Sequence, residues 1–168
     1  MATYIQIGST VTVGAGGAAS IDFTSIPSTY TDLSIKLSAR ETTVGGVGEV
    51  VYIAFNGSTA SFSNKFLQGD GTAAASGSLA RFAALDTDAS ATANTFGNAE
   101  IYIPNYAGSN NKSFSGEAVS ETNATGAPME LLANLWSNTA AINQITLTPT
   151  GGTFVQYSTA TLYGISKS

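Results

Sequence analysis

Polar Asp32, Ser34, Lys36, Ser38 and Arg40 alternate without a slip against apolar Leu33, Ile35, Leu37 and Ala39. Successive side chains of a strand point to opposite faces, so this run predicts a strand with one dry and one wet face. Antiparallel sandwiches are built from such strands; parallel sheets covered on both sides are not.

Strand-like runs recur along the chain with turn signals between them. Residues 4–13 stop at Gly14-Ala15-Gly16-Gly17, and residues 20–26, with Ile21 and Phe23 on one face, stop at Pro27. Residues 49–55 follow a glycine-rich break at 45–48 and run into Asn56-Gly57, a favoured tight-turn pair. Residues 65–68 and 79–85 read as short strands separated by a small-residue connection. The alanines of 80–93 also allow a helical turn or two, and 86–98 reads as a long loop. Residues 99–103 alternate again up to Pro104-Asn105, and 112–121 carry Phe114, Gly116 and Ala118 on one face.

The run 129–136 is apolar on both sides, with Met129, Leu131, Ala133 and Leu135 set against Leu132 and Trp136. A helix with Pro128 in its first turn fits this run, but the flanking strands favour a central strand buried on both faces. Residues 142–147 and 154–165 close the chain.

About ten short strands at this spacing predict an all-β fold. The long connections 70–78 and 86–98 suit the crossovers of a jelly roll. The expectation is therefore one jelly-roll-like antiparallel β-sandwich domain over residues 1–168, with residues 1–13 as an N-terminal arm or edge strand.

Composition narrows the function. Charged residues make up 10% of the chain against 43% apolar, where soluble domains carry about 25% charged. Much of the surface is therefore neutral and polar, or is covered by partner subunits. A net charge of −5 with six scattered basic residues excludes the basic patch that nucleic acid requires. No apolar run approaches the ~20 residues of a membrane span. The N-terminus lacks the basic and apolar regions of a signal peptide, so the chain reads as a complete cytoplasmic translation product. Cysteine and histidine are both absent, which removes disulfides, thiolate metal sites and the commonest general base.

Few motifs offer chemistry. Gly14 to Ala19 matches G-x-G-x-x-A after a strand, but a strand rather than a helix follows, so it reads as a turn. Leu85-Asp86-Thr87-Asp88-Ala89-Ser90 spaces its oxygens like a calcium loop, yet Ala91 and Gly97 stand where that loop needs Gly and Glu. A solvated acidic loop is the preferred reading, and Gly69-Asp70-Gly71 reads as a turn. Glu100, Glu117, Glu121 and Glu130 lie on or beside strands where carboxylates can converge, but nothing in their spacing requires it and outward-facing solubility is the preferred account. Without histidine the usual activated serine cannot form, and Lys36 lies on the wet side of its strand.

Tyr102, Tyr106, Trp136, Tyr157 and Tyr163 are candidate aromatic platforms for sugars, with core packing as the commoner use of such residues. Tyr106 and Trp136 are the glycan-contact candidates. No catalytic, cofactor or metal site is expected.

The order of segments carries a resemblance. It runs I-D-F-T-S-I-P-S-T-Y-T-D-L-S-I-K-L-S-A-R, Y-I-A-F-N-G, F-L-Q-G-D-G and A-E-I-Y-I-P-N-Y, with Lys112 beyond. L-W-S-N-T-A-A-I-N-Q-I-T-L and T-L-Y-G-I follow. From Ile21 to Ile165 this resembles small tailed-bacteriophage virion proteins, including those of cyanophages. The resemblance implies a jelly-roll-like sandwich that serves as a head decoration (cement) protein or as a tail-fibre or tail-tip module.

As a decoration protein it would act as a homotrimer on the capsid surface, made in the host cytoplasm and bridging major capsid subunits. Tyr4, Ile5 and Ile7 of the N-terminal arm are the candidate contacts with capsid or neighbour, since an exposed strand can pair with another sheet edge. The alternative role is a tail-tip or tail-fibre module that recognises host surface glycan.

Overall fold

The structure, a computed structural model, describes residues 2–45, 49–121 and 127–166. Among them are thirteen strands and no helix. The strands are β1 (Thr3–Gln6), β2 (Val11–Thr12), β3 (Ile21–Phe23), β4 (Asp32–Ala39), β5 (Glu49–Phe55), β6 (Phe62–Gly69) and β7 (Ala74–Gly77). They continue with β8 (Phe82–Asp86), β9 (Gly97–Pro104), β10 (Lys112–Val119), β11 (Met129–Trp136), β12 (Ile145–Pro149) and β13 (Thr159–Ser166).

These strands make an antiparallel sandwich. The larger sheet has nine strands in the order β1-β13-β4-β9-β10-β11-β6-β7, with β2 also paired to β13; the smaller runs β3-β12-β5-β8. The pairing is nested: β2 with β13, β3 with β12, β4 with β9 and β5 with β8. Two further strand pairs, β6–β7 and β10–β11, extend the larger sheet past β9.

The core follows from the alternation. Leu33, Ile35, Leu37 and Ala39 of β4 are all buried, facing the cluster that includes Val51, Ile53 and Phe55 of β5 and Ile145 and Leu147 of β12. Phe55 anchors an aromatic group, with ring centroids 5.3 Å from Trp136, 5.2 Å from Phe114 and 5.5 Å from Phe62. Gly116 lets β8 approach β10, since a Cβ there would stand 2.7 Å from the Ala83 carbonyl oxygen.

Polar side chains fasten distant loops together. Asn56 and Gly57 both have positive φ, 53° and 72°, as a tight I′-type turn demands. The Asn56 side chain accepts from the Asn143 and Gln144 amides at 2.9 and 3.2 Å and donates to the Ala141 carbonyl at 2.8 Å. Tyr106 donates its hydroxyl to the Pro27 carbonyl, and the Tyr30 ring lies against Gly164. The segments F-N-G and A-I-N-Q thus meet each other, and I-P-S-T-Y meets both I-P-N-Y and L-Y-G-I. Lys112 is fully buried and donates to the carbonyls of Gly108 (2.8 Å) and Asn110, while burial lowers its pKa.

Several sequence expectations change. The stretch 4–13 divides into β1 and β2 at Gly8, whose φ is +69°. The connection 70–78 contains β7. The alanines of 80–93 form β8 and a loop, because Arg40 organises that loop instead of ending a wet strand face. Its guanidinium donates to the carbonyls of Ala89, Ala91, Thr92 and Thr95 at 2.9–3.1 Å. The run 129–136 is an interior strand of the larger sheet, but only one of its faces is buried. The break at 45–48 lies partly outside the described residues.

Candidate functional site

The register of the larger sheet sorts its outer face into rows. One row runs Thr161, Lys36, Glu100, Glu117, Leu131, Leu67 from β13 to β6. The next runs Tyr163, Ser34, Tyr102, Ser115, Ala133, Lys65. A third runs Ser38, Asn98, Val119, Met129, Gly69, Ala74. Directly opposed residues of an antiparallel pair share a face. The first and third rows therefore pass from polar at β4 and β9 to apolar or small at β11 and β6, while the second ends on Ala133 and Lys65.

The apolar half is exposed. Met129, Leu131 and Leu67 have 59%, 57% and 54% of their surfaces in water, and Val119 has 40%. Isolated exposed apolar residues are ordinary, but a contiguous group on one face marks a contact site. Covering one of these half-exposed side chains is worth about 1 kcal/mol.

A groove of about 610 Å³ joins the two halves, lined by residues that include Tyr102, Glu100, Glu117, Lys65, Leu67 and Leu131. Glu100 and Glu117 do converge, as direct cross-strand partners. Burial pushes the Glu100 carboxyl up, but hydrogen bonds from Lys36 and Ser34 outweigh it and hold the group below its usual value. An acid held ionised is not the proton donor that glycoside hydrolysis requires. Tyr102 donates to Asp32 at 3.0 Å, and burial followed by that carboxylate raises its pKa. Glu130 lies on the inner side, 5% exposed, and burial lifts its carboxyl to about 7. Glu121 lies beyond the end of β10.

The predicted glycan contacts do not reach this face. Tyr106 and Trp136 are 0% and 1% exposed, so neither can offer its ring to a sugar. On this strand the indole is inward because Trp136 shares the parity of Leu132, opposite to Leu131. The predicted arm residues divide: Tyr4 and Ile5 are exposed on edge strand β1, while Ile7 packs against the core. Tyr4 meets Tyr163 edge-on at 6.2 Å. The opposite edge, β7, is A-A-S-G and carries none of the charges that usually guard an edge.

The glycine segment after Val13 is a turn, closed by a 3.0 Å bond from the Gly17 amide to the Gly14 carbonyl, and β3 follows it. Asp70 caps its own turn, accepting from the Ala73 amide at 2.7 Å and from the Thr72 hydroxyl and amide, each at 2.8 Å, which hold its pKa at about 2. The acidic loop is not solvated: Asp86, Thr87 and Asp88 are all 0% exposed. Asp88 accepts from the Ser90 and Ala91 amides at 2.8 and 3.0 Å. Among the described residues no group of three or more acidic side chains is arranged to hold a metal ion, and no helix is long and apolar enough to cross a membrane.

The exposed half-face escaped sequence reasoning because the outward set of β11, Met129, Leu131, Ala133 and Leu135, is its more apolar side, while Glu130 and Asn134 lie inward beside Leu132 and Trp136. The register shows its place: Leu131 and Ala133 stand opposite Glu117 and Ser115 of β10, and Met129 opposite Val119. No protein-family model, curated protein or solved structure matches the chain.

Proposed function

We propose that the chain is a structural virion protein that binds the outside of a bacteriophage capsid and stabilises it by bridging major capsid subunits. The observation that carries the docking role is the contiguous exposed apolar group Leu67, Leu131, Met129 and Val119 on the larger sheet. Such a group, rimmed by Lys65, Glu117 and Glu100, has the layout of a protein interface, apolar in the middle and polar at the edge.

The bacteriophage assignment rests on the resemblance of the ordered segments, several of which interlock as framework. The nested strand pairing supports reading the sandwich as a jelly roll, an architecture that capsid domains use.

The mechanism is linkage. A subunit that binds the assembled shell and not its separated parts shifts the equilibrium toward the shell. As a homotrimer it presents three such faces, and each weak contact raises the effective concentration of the next. The uncharged edges β1 and β7 offer further pairing, with Tyr4 and Ile5 on the first.

Copy counting by mass spectrometry of purified virions tests the assignment. Hundreds of copies place the protein on the head; a few to a few tens place it on the tail. Particles lacking it that withstand heat and low salt as well as wild type overturn the cement role.

The groove beside Tyr102 favours one second reading, a tail module for host glycan, with Tyr102 as the platform in place of the buried Tyr106 and Trp136. Glycan binding that Tyr102→Ala abolishes in a folded chain supports that reading.

A further inference from the structure

A second place in the molecule has no role in the docking reading. It lies where the end of β4 meets the end of β8. Arg40 and Thr87 form a parallel bridge, fastened by the Glu41 amide to the Thr87 carbonyl at 2.9 Å and the Thr87 amide to the Ala39 carbonyl at 3.2 Å. Side chains alternate about such a bridge, so Arg40 and Thr87 take one side while Glu41, Asp86 and Asp88 take the other. Glu49 adds a fourth carboxylate as the direct cross-strand partner of Asp86.

Glu41 and Asp86 are 0% exposed, and none of their four carboxylate oxygens makes a hydrogen bond of full geometry; the Thr43 hydroxyl and the Gly151 amide are the groups that approach Glu41. The Thr43 hydroxyl lies beside Glu41, is itself buried, and makes no hydrogen bond of full geometry. The nearest guanidinium in sequence, that of Arg40, is spent on four main-chain carbonyls of the 89–95 loop. Buried charge of one sign needs a counter-charge, and buried oxygens need partners.

We propose that Glu41 and Asp86, with the Thr43 hydroxyl as a third donor, bind a divalent cation of the calcium class. Two carboxylates balance the double charge, and Glu49 and Asp88 add to the negative field. Protons alone satisfy the site less well. Burial does raise both carboxyls, Asp86 to about 9, so in the metal-free chain Asp86 holds a proton at neutral pH. A buried O–H still needs an acceptor, and neither carboxyl makes a hydrogen bond of full geometry.

The all-oxygen donor set selects a hard cation over zinc or copper. Calcium tolerates irregular geometry, whereas magnesium demands an octahedron and keeps its water. With two carboxylates supplied by side chains, main-chain oxygens and water complete the coordination.

The test uses the full chain, stripped with a chelator and titrated with calcium chloride or magnesium chloride at neutral pH. Calorimetry should give one calcium per chain with proton release on binding, and the melting temperature should rise with calcium concentration. Magnesium should act more weakly. The neutral, near-isosteric Glu41→Gln/Asp86→Asn double variant should fold without the ion and lose the response. Wild-type protein with no binding heat and equal melting temperatures in chelator and millimolar calcium overturns the proposal. So does a double variant that keeps the full response, which would place weak binding elsewhere, such as the exposed Asp70 turn. Should the variant fail to fold, the wild-type titration still decides.

Discussion

Leu67 and Leu131 stand directly opposite each other on β6 and β11, on the outer face of the larger sheet, and each keeps more than half its surface in water. The pair is worth little to the isolated chain and much to a partner. Replacing both with Thr, which suits a strand and adds no charge beside Glu117, should leave the melting curve nearly unchanged, since exposed substitutions shift stability by about 0.5 kcal/mol or less. Binding to capsid should fall by roughly tenfold or more, which co-sedimentation measures. Equal binding by variant and wild type contradicts the docking role of this face.

Trp136 should behave as a core residue. Trp136→Ala removes an indole packed on Phe55 and Phe62 and is expected to cost about 3–5 kcal/mol by denaturant unfolding. A variant of unchanged stability contradicts the packing described above.

Gly164 leaves space for the Tyr30 ring, whose Cγ would stand 2.3 Å from a Cβ built there. Gly164→Ala should destabilise by about 1–3 kcal/mol. Tyr30→Ala should make the same glycine substitution nearly harmless, a coupling that a double-mutant cycle reads directly.

Glu130 should give stability a pH dependence of unusual sign. Its carboxyl is raised by burial from 4.5 to about 7. Between about pH 4.5 and about pH 7 the folded chain holds a proton that the unfolded chain releases, so stability falls as pH rises. The loss is complete above the folded pKa and absent below the unfolded one. Glu130→Gln should remove this component and exceed wild type by about 1–3 kcal/mol above neutrality, while matching it in acid. Parallel stability profiles for the two proteins contradict the assignment.

Much of the fold is legible in the chain because one-sided strands announce themselves. The alternation of β4, the Asn56-Gly57 turn and the inward set Phe114, Gly116 and Ala118 all survive in three dimensions. What was not legible depended on parity or on distant partners. β11 turns its more apolar side outward and buries Glu130 and Asn134 beside Leu132 and Trp136, so its sequence does not reveal which side lacks a covering layer. Arg40 closes an alternating run, and nothing local says that its guanidinium bends away to gather carbonyls from 89–95. Asp86 and Asp88 resemble a solvated loop until the bridge from Arg40 to Thr87 places them under Glu41. Tyr106 looked available to a ligand because the carbonyl that holds its hydroxyl, that of Pro27, lies 79 residues away.

Cross-linking mass spectrometry on intact virions tests the capsid assignment most directly. Lys65 and Lys36 flank the apolar half-face and are exposed. Lys65 linked to the major capsid protein, in spectra dominated by head components, is the expected result. Links from Lys65 confined to tail proteins, or a Lys65 that reacts as freely on the virion as in the isolated chain, contradict it.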